Sequence, residues 1–253
     1  MNPLVIANWK MHKSVEESVR DAARIAELAD VRHIDVGIAP SIVWQKAIHG
    51  TLHGTGLLTV VQDAHSEPSG AYTGAVSFDQ LAPFSDMALV GHSERRHVFG
   101  DSDELVALKA QAAQRAGLRV VLCVGETREE REVGDGESVV RAQIASVLDA
   151  VDANAVEMLD VAYEPVWAIS GGDASVEPAT TDAIAAMHSF IRSFLRERVG
   201  ESHDRIRVLY GGSVKPENAM EIFAVSDVQG ALVGGASLDP ESFVQILEAV
   251  PTC

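Results

Sequence analysis

The sequence predicts a closed (β/α)8 TIM barrel, a single domain over residues 1–253 in which eight parallel strands alternate with eight helices. Its length of 253 residues matches the roughly 250 that this α/β fold needs. Eight short apolar runs alternate with segments of helical spacing, and no linker rich in proline, glycine or serine separates them. An open, doubly wound sheet is the alternative that the pattern leaves.

Near-continuous hydrophobicity predicts the strands, because strands buried on both faces of a parallel sheet carry few polar residues. In chain order the runs are LVIANWK from Leu4, HIDVGIAP from His33, LLTVVQD from Leu57, MALVGH from Met87, RVVLCVG from Arg119, LDVAYEP from Leu159, RVLYGGS from Arg207 and GALVGG from Gly230. Most of the runs lead into polar residues or glycines.

The first helix is predicted from Ser14 to about Asp30, because Ser14 and Glu17 form a capping box and the apolar residues that follow fall on one face. Further helices are predicted over residues 105–116, 138–151, 181–199, 216–224 and 240–250, with shorter ones near Trp44 and Leu81. Pro216 and Pro240 stand where a first helical turn accepts proline.

Charge and cysteine content narrow the classes of function. Twenty basic against 37 acidic residues give a net charge of −17, which disfavours nucleic-acid and anionic membrane partners. A small anionic substrate would need a locally positive pocket. Only Cys123 and Cys253 are present, so a disulfide framework is not expected. Neither a signal-peptide pattern nor a run of roughly 20 apolar residues is found, and a cytoplasmic location is expected.

Candidate reactive residues follow the predicted strands, where a barrel carries its chemistry. Asn8 and Lys10 follow the first strand, His92 the fourth and Glu164 the sixth. His92 precedes a short helical segment whose N-terminal dipole disfavours imidazolium, so it could donate a hydrogen bond as a neutral ring. Taken singly, each has a plainer interpretation: a structural histidine, a solvated lysine or a glutamate in an exposed loop.

Glycines at the ends of the seventh and eighth strands predict a phosphate site. Backbone N–H groups at Gly211, Gly212, Ser213, Gly234 and Gly235 can approach an anion without obstruction by side chains. The alternative is that these glycines only form tight turns. His49 and His53 have helical spacing but lack accompanying ligands, so they are interpreted as surface residues and no metal is expected.

Longer motifs surround these residues. They are ANWKMH (7–12), SGAYTG (69–74), GHSERR (91–96), CVGE (123–126), AYEPVWAI (162–169), LYGGSVKPEN (209–218) and LVGGASL (232–238). Through them the chain resembles the triosephosphate isomerase family over nearly its whole length. The resemblance implies the isomerisation of dihydroxyacetone phosphate and D-glyceraldehyde 3-phosphate through an enediolate, as in glycolysis and gluconeogenesis, without a metal or organic cofactor.

The resemblance also assigns roles to the reacting groups. Glu164 matches the catalytic base, followed by a lid that begins at residues 165–167 and can dehydrate its carboxylate. His92 matches the electrophile that polarises the carbonyl, and Lys10 the cation that balances the enediolate charge. Asn8 supports the same oxygen, and Glu94 matches an acid that could pair with Lys10.

Further residues are expected around the reacting groups. Ser93 and Tyr210 lie in the same motifs and are expected to support them. The phosphate is expected on Ser213, Gly234 and Gly235, with one more N–H from the lid at Ser170 or Gly171.

Two departures from the family pattern leave alternatives open. The lid segment at 170–180, SGGDASVEPAT, is longer than the family's, so an isomerase of a four-carbon ketose phosphate, such as an erythrulose phosphate, is an alternative. A barrel that binds a phosphorylated ligand without turnover is a second. The family forms a homodimer through the loop around Thr73, but Ala75 stands where the family often has glutamate, which leaves Arg95 without its expected partner.

Overall fold

The structure is a computed structural model that describes residues 1–169 and 177–251, apart from the side chain of Asn154. Eight parallel strands form a closed barrel in sequence order, so the predicted fold class is confirmed. The strands are β1 (Leu4–Asn8), β2 (Asp35–Ala39), β3 (Leu58–Val61), β4 (Met87–Val90), β5 (Arg119–Val124), β6 (Leu159–Tyr163), β7 (Val208–Tyr210) and β8 (Gly230–Val233). Each lies within one of the predicted runs.

The prediction of eight helices is corrected to ten α-helices in the described part of the chain. They are α1 (Val15–Leu28), α2 (Gln45–Leu52), α3 (Phe78–Leu81), α4 (Ser93–His97), α5 (Asp103–Arg115), α6 (Arg128–Glu132), α7 (Gly136–Ala150), α8 (Thr181–Val199), α9 (Pro216–Phe223) and α10 (Pro240–Glu248). The two helices beyond those eight are short: α4 is the helical segment indicated after His92, and α6, after β5, is not among the predicted elements. The capping box of Ser14 and Glu17 is present at α1, and α8 has the predicted bounds.

The sheet separates two apolar cores. Leu4 and Ile6 of β1 contribute to the core inside the barrel, whereas Val5 and Ala7 contribute to the core between the sheet and the helices. Alternate residues of a strand point to opposite faces. Because both faces are buried, the strand sequences are apolar without interruption.

A buried ion cluster occupies the end of the barrel where the strands begin. Asp160 of β6 accepts hydrogen bonds from Arg119 Nε at 2.6 Å and Arg207 Nη2 at 3.0 Å. Arg207 also pairs with Asp35 at 2.7 Å. Burial alone would raise the pKa of Asp160, but the hydrogen bond from Arg119 and the two positive charges outweigh it and lower the pKa. The cluster thus holds an ionised carboxylate in the interior.

No helix among residues 1–169 and 177–251 has the length and apolarity needed to cross a membrane.

Candidate active site

A cavity of about 720 Å3 opens at the end of the barrel where the strands finish. It is lined by predicted residues from five strand ends: Asn8, Lys10, His92, Glu164, Gly211, Gly212, Ser213, Gly234 and Gly235. The structure therefore brings the predicted reactive groups and the glycine loops into one site. Ser170 and Gly171, predicted for the phosphate, lie outside the described residues.

Glu164 lies directly after β6 and is only 2% exposed, so it is not a residue of an exposed loop. Its Oε2 accepts a hydrogen bond from the Ser93 backbone N–H at 2.7 Å, and its Oε1 lies 3.1 Å from His92 Nε2. Neighbouring strands approach closely here, because a Cβ on Gly211 would lie 2.7 Å from Glu164 Cγ. One on Gly125 would lie 1.8 Å from the Glu164 carbonyl oxygen. Both glycines are needed to seat this carboxylate.

His92 caps α4 with its own ring. Its Nδ1 accepts the Glu94 backbone N–H at 3.2 Å, and a nitrogen that accepts a hydrogen bond carries no hydrogen. The remaining hydrogen of the neutral ring is then on Nε2, which points to Glu164 Oε1. The ring is 7% exposed. This geometry suits the neutral hydrogen-bond donor expected from the sequence.

Lys10 lies in the loop after β1 with a left-handed backbone, φ 52°. Its N–H donates to Asn8 Oδ1 at 3.1 Å, and its carbonyl accepts from Gln62 Nε2 at 2.9 Å. Its ammonium is 2.6 Å from Glu94 Oε1, so the expected pair is present. Burial raises the pKa of Glu94, but the hydrogen bond and charge of Lys10 outweigh it and lower the pKa. These contacts keep a strained loop and its cation at the cavity.

The glycine loops after β7 and β8 form the other side of the cavity. Ser213, Gly234 and Gly235 all line it, and a Cβ on Gly234 would lie 3.5 Å from Lys10 Cε. Tyr210 lies below, where a Cβ on Gly212 would be 2.2 Å from its hydroxyl oxygen. That hydroxyl is buried and has no hydrogen-bond partner among the described residues. Small residues thus leave the backbone of both loops open to a ligand.

Sequence reasoning missed Glu126, which is fully buried behind the site. Its Oε1 accepts hydrogen bonds from Tyr163 Oη at 3.0 Å and Trp167 Nε1 at 2.8 Å, and its carbonyl accepts the Val166 N–H at 3.1 Å. It therefore ties the residues after Glu164 to the end of β5. Burial, and then the charge of Glu126, raise the pKa of Tyr163. The sequence signal that could have identified Glu126 was its position two residues after β5, at a strand end.

The loop around Thr73 is exposed along residues 67–75. Ala75 supplies no charge, but Arg95 is paired within its own chain: its Nε lies 3.2 Å from Asp63 Oδ2 and its Nη2 3.1 Å from Asp101 Oδ1. Arg95 thus has two carboxylate partners within its own chain, and the interface expected around Thr73 stays a prediction.

Comparisons with known proteins point to one family. Residues 3–250 match the family model described as triosephosphate isomerase. The triosephosphate isomerase of Nitratidesulfovibrio vulgaris is 45% identical over 255 residues, covering 98% of this chain and 100% of the relative. That of Aquifex aeolicus is 41% identical over 251 residues, covering 98% and 99%. A crystal structure of triosephosphate isomerase from Bartonella henselae aligns with a TM-score of 0.88 at 37% identity, covering 98% and 99%.

Proposed function

Since the chain belongs to the triosephosphate isomerase family and interconverts dihydroxyacetone phosphate and D-glyceraldehyde 3-phosphate, we propose that Glu164 is the base that moves the proton between two carbons. The observation that carries this is the contact between a buried carboxylate and the N–H of a neutral histidine inside one cavity. The four-carbon ketose phosphate finds no support in these relatives, which carry the name of the three-carbon reaction.

In the proposed reaction, Glu164 removes a proton from the hydroxymethyl carbon beside the carbonyl of dihydroxyacetone phosphate. The electron pair of that bond forms the C–C double bond of the enediolate, and the carbonyl oxygen takes the negative charge. The protonated Glu164 then delivers its proton to the former carbonyl carbon, which gives the aldose. A buried, pre-positioned carboxylate needs little rearrangement for either step.

His92, Lys10 and Asn8 act on the oxygens. The Nε2–H of His92 would exchange its contact with Glu164 for the substrate carbonyl, and the ring would pass a proton from one substrate oxygen to the other. The ammonium of Lys10 and the amide of Asn8 stabilise the enediolate oxygen, which is the electrostatic part of catalysis. Lys10 also supplies the local positive charge that a chain of net charge −17 needs for an anionic substrate.

The phosphate group is assigned to the glycine loops after β7 and β8. Backbone N–H groups of Ser213, Gly234 and Gly235 can converge on an anion there, and Gly234 lies beside the aliphatic part of Lys10. One substrate would therefore span the cavity from these loops to Glu164.

Glu164→Gln tests the base. We expect its kcat to fall about 10²- to 10⁴-fold with the fold unchanged, because the amide cannot accept the proton. Glu16→Gln is the matched control, since it changes net charge equally on an exposed residue of α1. A loss in Glu164→Gln below about 10²-fold would overturn the assignment.

We also propose a homodimer in the cytoplasm, formed through the loop around Thr73. Large apolar side chains are exposed in the loops after β1, β3 and β4, at the end of the barrel where the strands finish: Met11 is 93% exposed, Tyr72 46% and Phe99 67%. A two-fold interface would cover them. Sedimentation equilibrium should give twice the chain mass of 27.0 kDa, and Thr73→Arg should shift the protein toward the single-chain mass. A wild-type mass of one chain at micromolar concentration would contradict the dimer.

A further inference from the structure

Lys13 lies in the loop between β1 and α1 with φ 71°. Only Lys10, Lys13 and Asp227 among the described non-glycine residues have positive φ. Glycine would adopt this conformation without strain, whereas a long side chain does so at a conformational cost. The strain at Lys10 accompanies a role in the site. The strain at Lys13 raises the question of what its side chain does.

The ammonium of Lys13 joins three parts of the chain. It donates to Asp21 Oδ2 of α1 at 2.5 Å and to the Leu238 carbonyl at 2.6 Å, and it lies 4.9 Å from the ring centroid of Trp9. The side chains of Lys13 and Asp21 are each only 9% exposed. Asp21 neutralises the ammonium of Lys13 inside the protein. Lys13 can therefore affect a bound anion by positioning other groups rather than by adding net positive charge.

The carbonyl that Lys13 holds belongs to the loop of the proposed phosphate site. Leu238 is the last residue of the 3-10 turn Gly235–Leu238, which begins at the glycines of that site. Trp9 makes a second tie, since its Nε1 donates to the Ser237 carbonyl at 3.0 Å. Ser237 in turn donates to the Gly234 carbonyl through its hydroxyl at 2.7 Å. Trp9 precedes Lys10 in the sequence and Lys13 follows it. Together they hold the carbonyls of Ser237 and Leu238 at the C-terminal end of the turn.

We propose that Lys13 is a positioning residue that fixes the phosphate-binding turn at Gly234 and Gly235 relative to Lys10. The inference rests on the proposed function, because it concerns the same substrate. The phosphate and the reacting carbons belong to one small molecule, so the turn and the cation must be held at a fixed separation. Loss of the tie frees the turn and weakens phosphate binding more than it slows the chemistry on a substrate already bound.

Two substitutions of Lys13 test this with independent effects on the backbone. Lys13→Met keeps an unbranched apolar side chain and removes the donor, whereas Lys13→Gly removes the whole side chain and relieves the positive φ. Both should raise KM for D-glyceraldehyde 3-phosphate, and the inhibition constant of inorganic phosphate, by about 10-fold, as expected for loss of a charge-assisted hydrogen bond. Their kcat should stay within about 3-fold of the wild type.

Arg20→Met is the matched control. Arg20 Nε donates to the other oxygen of Asp21 at 2.8 Å, its side chain is 69% exposed, and it is on α1 rather than in the loop after β1. We expect its KM and its inhibition by phosphate to match the wild type. A purely structural Lys13 would lower the melting temperature in Lys13→Met and leave KM and phosphate inhibition unchanged in both variants, which would overturn the proposal. Failure of phosphate to inhibit the wild type would instead count against the proposed phosphate site.

Discussion

Strand β6 carries one buried carboxylate near each end, and the two have different surroundings. Asp160, its second residue, is fully buried and accepts hydrogen bonds from two guanidinium groups. Glu164, directly after its last residue, is almost as buried but meets a neutral imidazole and one backbone N–H. Burial of the acid is therefore common to both ends, and the difference lies in the partners.

The partners decide whether a buried acid can react. Two cations stabilise the ionised form of Asp160, so protonating it would leave Arg119 uncompensated and Arg207 paired only with Asp35. Among the residues that the structure describes, Glu164 has hydrogen-bond donors but no lysine or arginine at contact distance, which supports its proposed role as the base. We therefore expect one end of the strand to serve stability and the other to serve the proposed proton transfer, as barrels generally divide these roles.

Asp160→Asn gives the largest expected loss of stability. The amide has nearly the same shape, but it removes the carboxylate charge that pairs with Arg119 and leaves Arg207 with only the more exposed Asp35. We expect the free energy of unfolding to fall by about 3–5 kcal/mol, measured by urea denaturation. The kcat of the folded protein should stay within about 3-fold of the wild type. A fall in kcat similar to that of Glu164→Gln would show that the two ends of β6 are not separate.

Acid should lower the free energy of unfolding by protonating His188, which packs against the same strand. This histidine of α8 is fully buried, its Nδ1 lies 3.2 Å from the Asp227 carbonyl, and its ring packs edge-on against Tyr163 of β6 at 6.0 Å. Burial lowers the pKa of His188 to about 4 from its ordinary value of 6.5. The unfolded chain therefore binds this proton at a higher pH than the folded protein does. The contribution of the neutral His188 to the free energy of unfolding is complete above pH 6.5 and is lost as the pH falls to about 4.

The expected loss from His188 is about 3 kcal/mol of unfolding free energy between pH 7 and pH 4. His188→Gln lacks this titration and serves as the control for the carboxylates that also titrate in that range. The difference in stability between the wild type and His188→Gln should shrink or reverse by about this amount on acidification. A difference that does not change with pH would contradict the assignment.

The sequence allowed the elements and most of the site to be predicted because those signals are local. Apolar runs mark strands buried on both faces, Ser14 and Glu17 mark a helix start, and Glu164 stands directly after a strand. The partners that distinguish Asp160 from Glu164 are not local. Arg119 and Arg207 lie 41 and 47 residues from Asp160, and such pairs follow only from the closed barrel and its register.

The same reason explains the other omissions. Glu126 lies in the motif CVGE, but its contact with Trp167 spans 41 residues, and Lys13 donates to a carbonyl 225 residues away. Helix α6 has five residues, too few for a helical period to be detected. Ala75 indicated a missing charge, but the pairing of Arg95 with Asp63 and Asp101 could be found only from the positions of those side chains.

His92→Gln should affect the reactive end alone. Glutamine keeps an N–H donor but cannot pass a proton between two oxygens, so we expect kcat to fall about 10²-fold, which corresponds to about 2.7 kcal/mol of transition-state stabilisation. His97→Gln, an exposed position on the same helix, is the matched control. A melting temperature close to that of the wild type in both variants would place the whole effect in the chemistry. Retention of more than about a tenth of kcat by His92→Gln would contradict the role given to the ring.

The smallest effects should come from the two arginines and should follow their burial. Arg207 is 5% exposed and bridges Asp160 and Asp35, whereas Arg119 is 20% exposed and, among the acids of residues 1–169 and 177–251, pairs with Asp160. We expect Arg207→Met to lower the unfolding free energy by about 2.5 kcal/mol and Arg119→Met by about 1.5 kcal/mol, because water can partly replace the more exposed partner. Equal losses would mean that Asp160 needs both cations to the same degree. A change in kcat in either variant, with Glu164 intact, would mean that the pairing of Asp160 sets the position of Glu164 along the strand that they share.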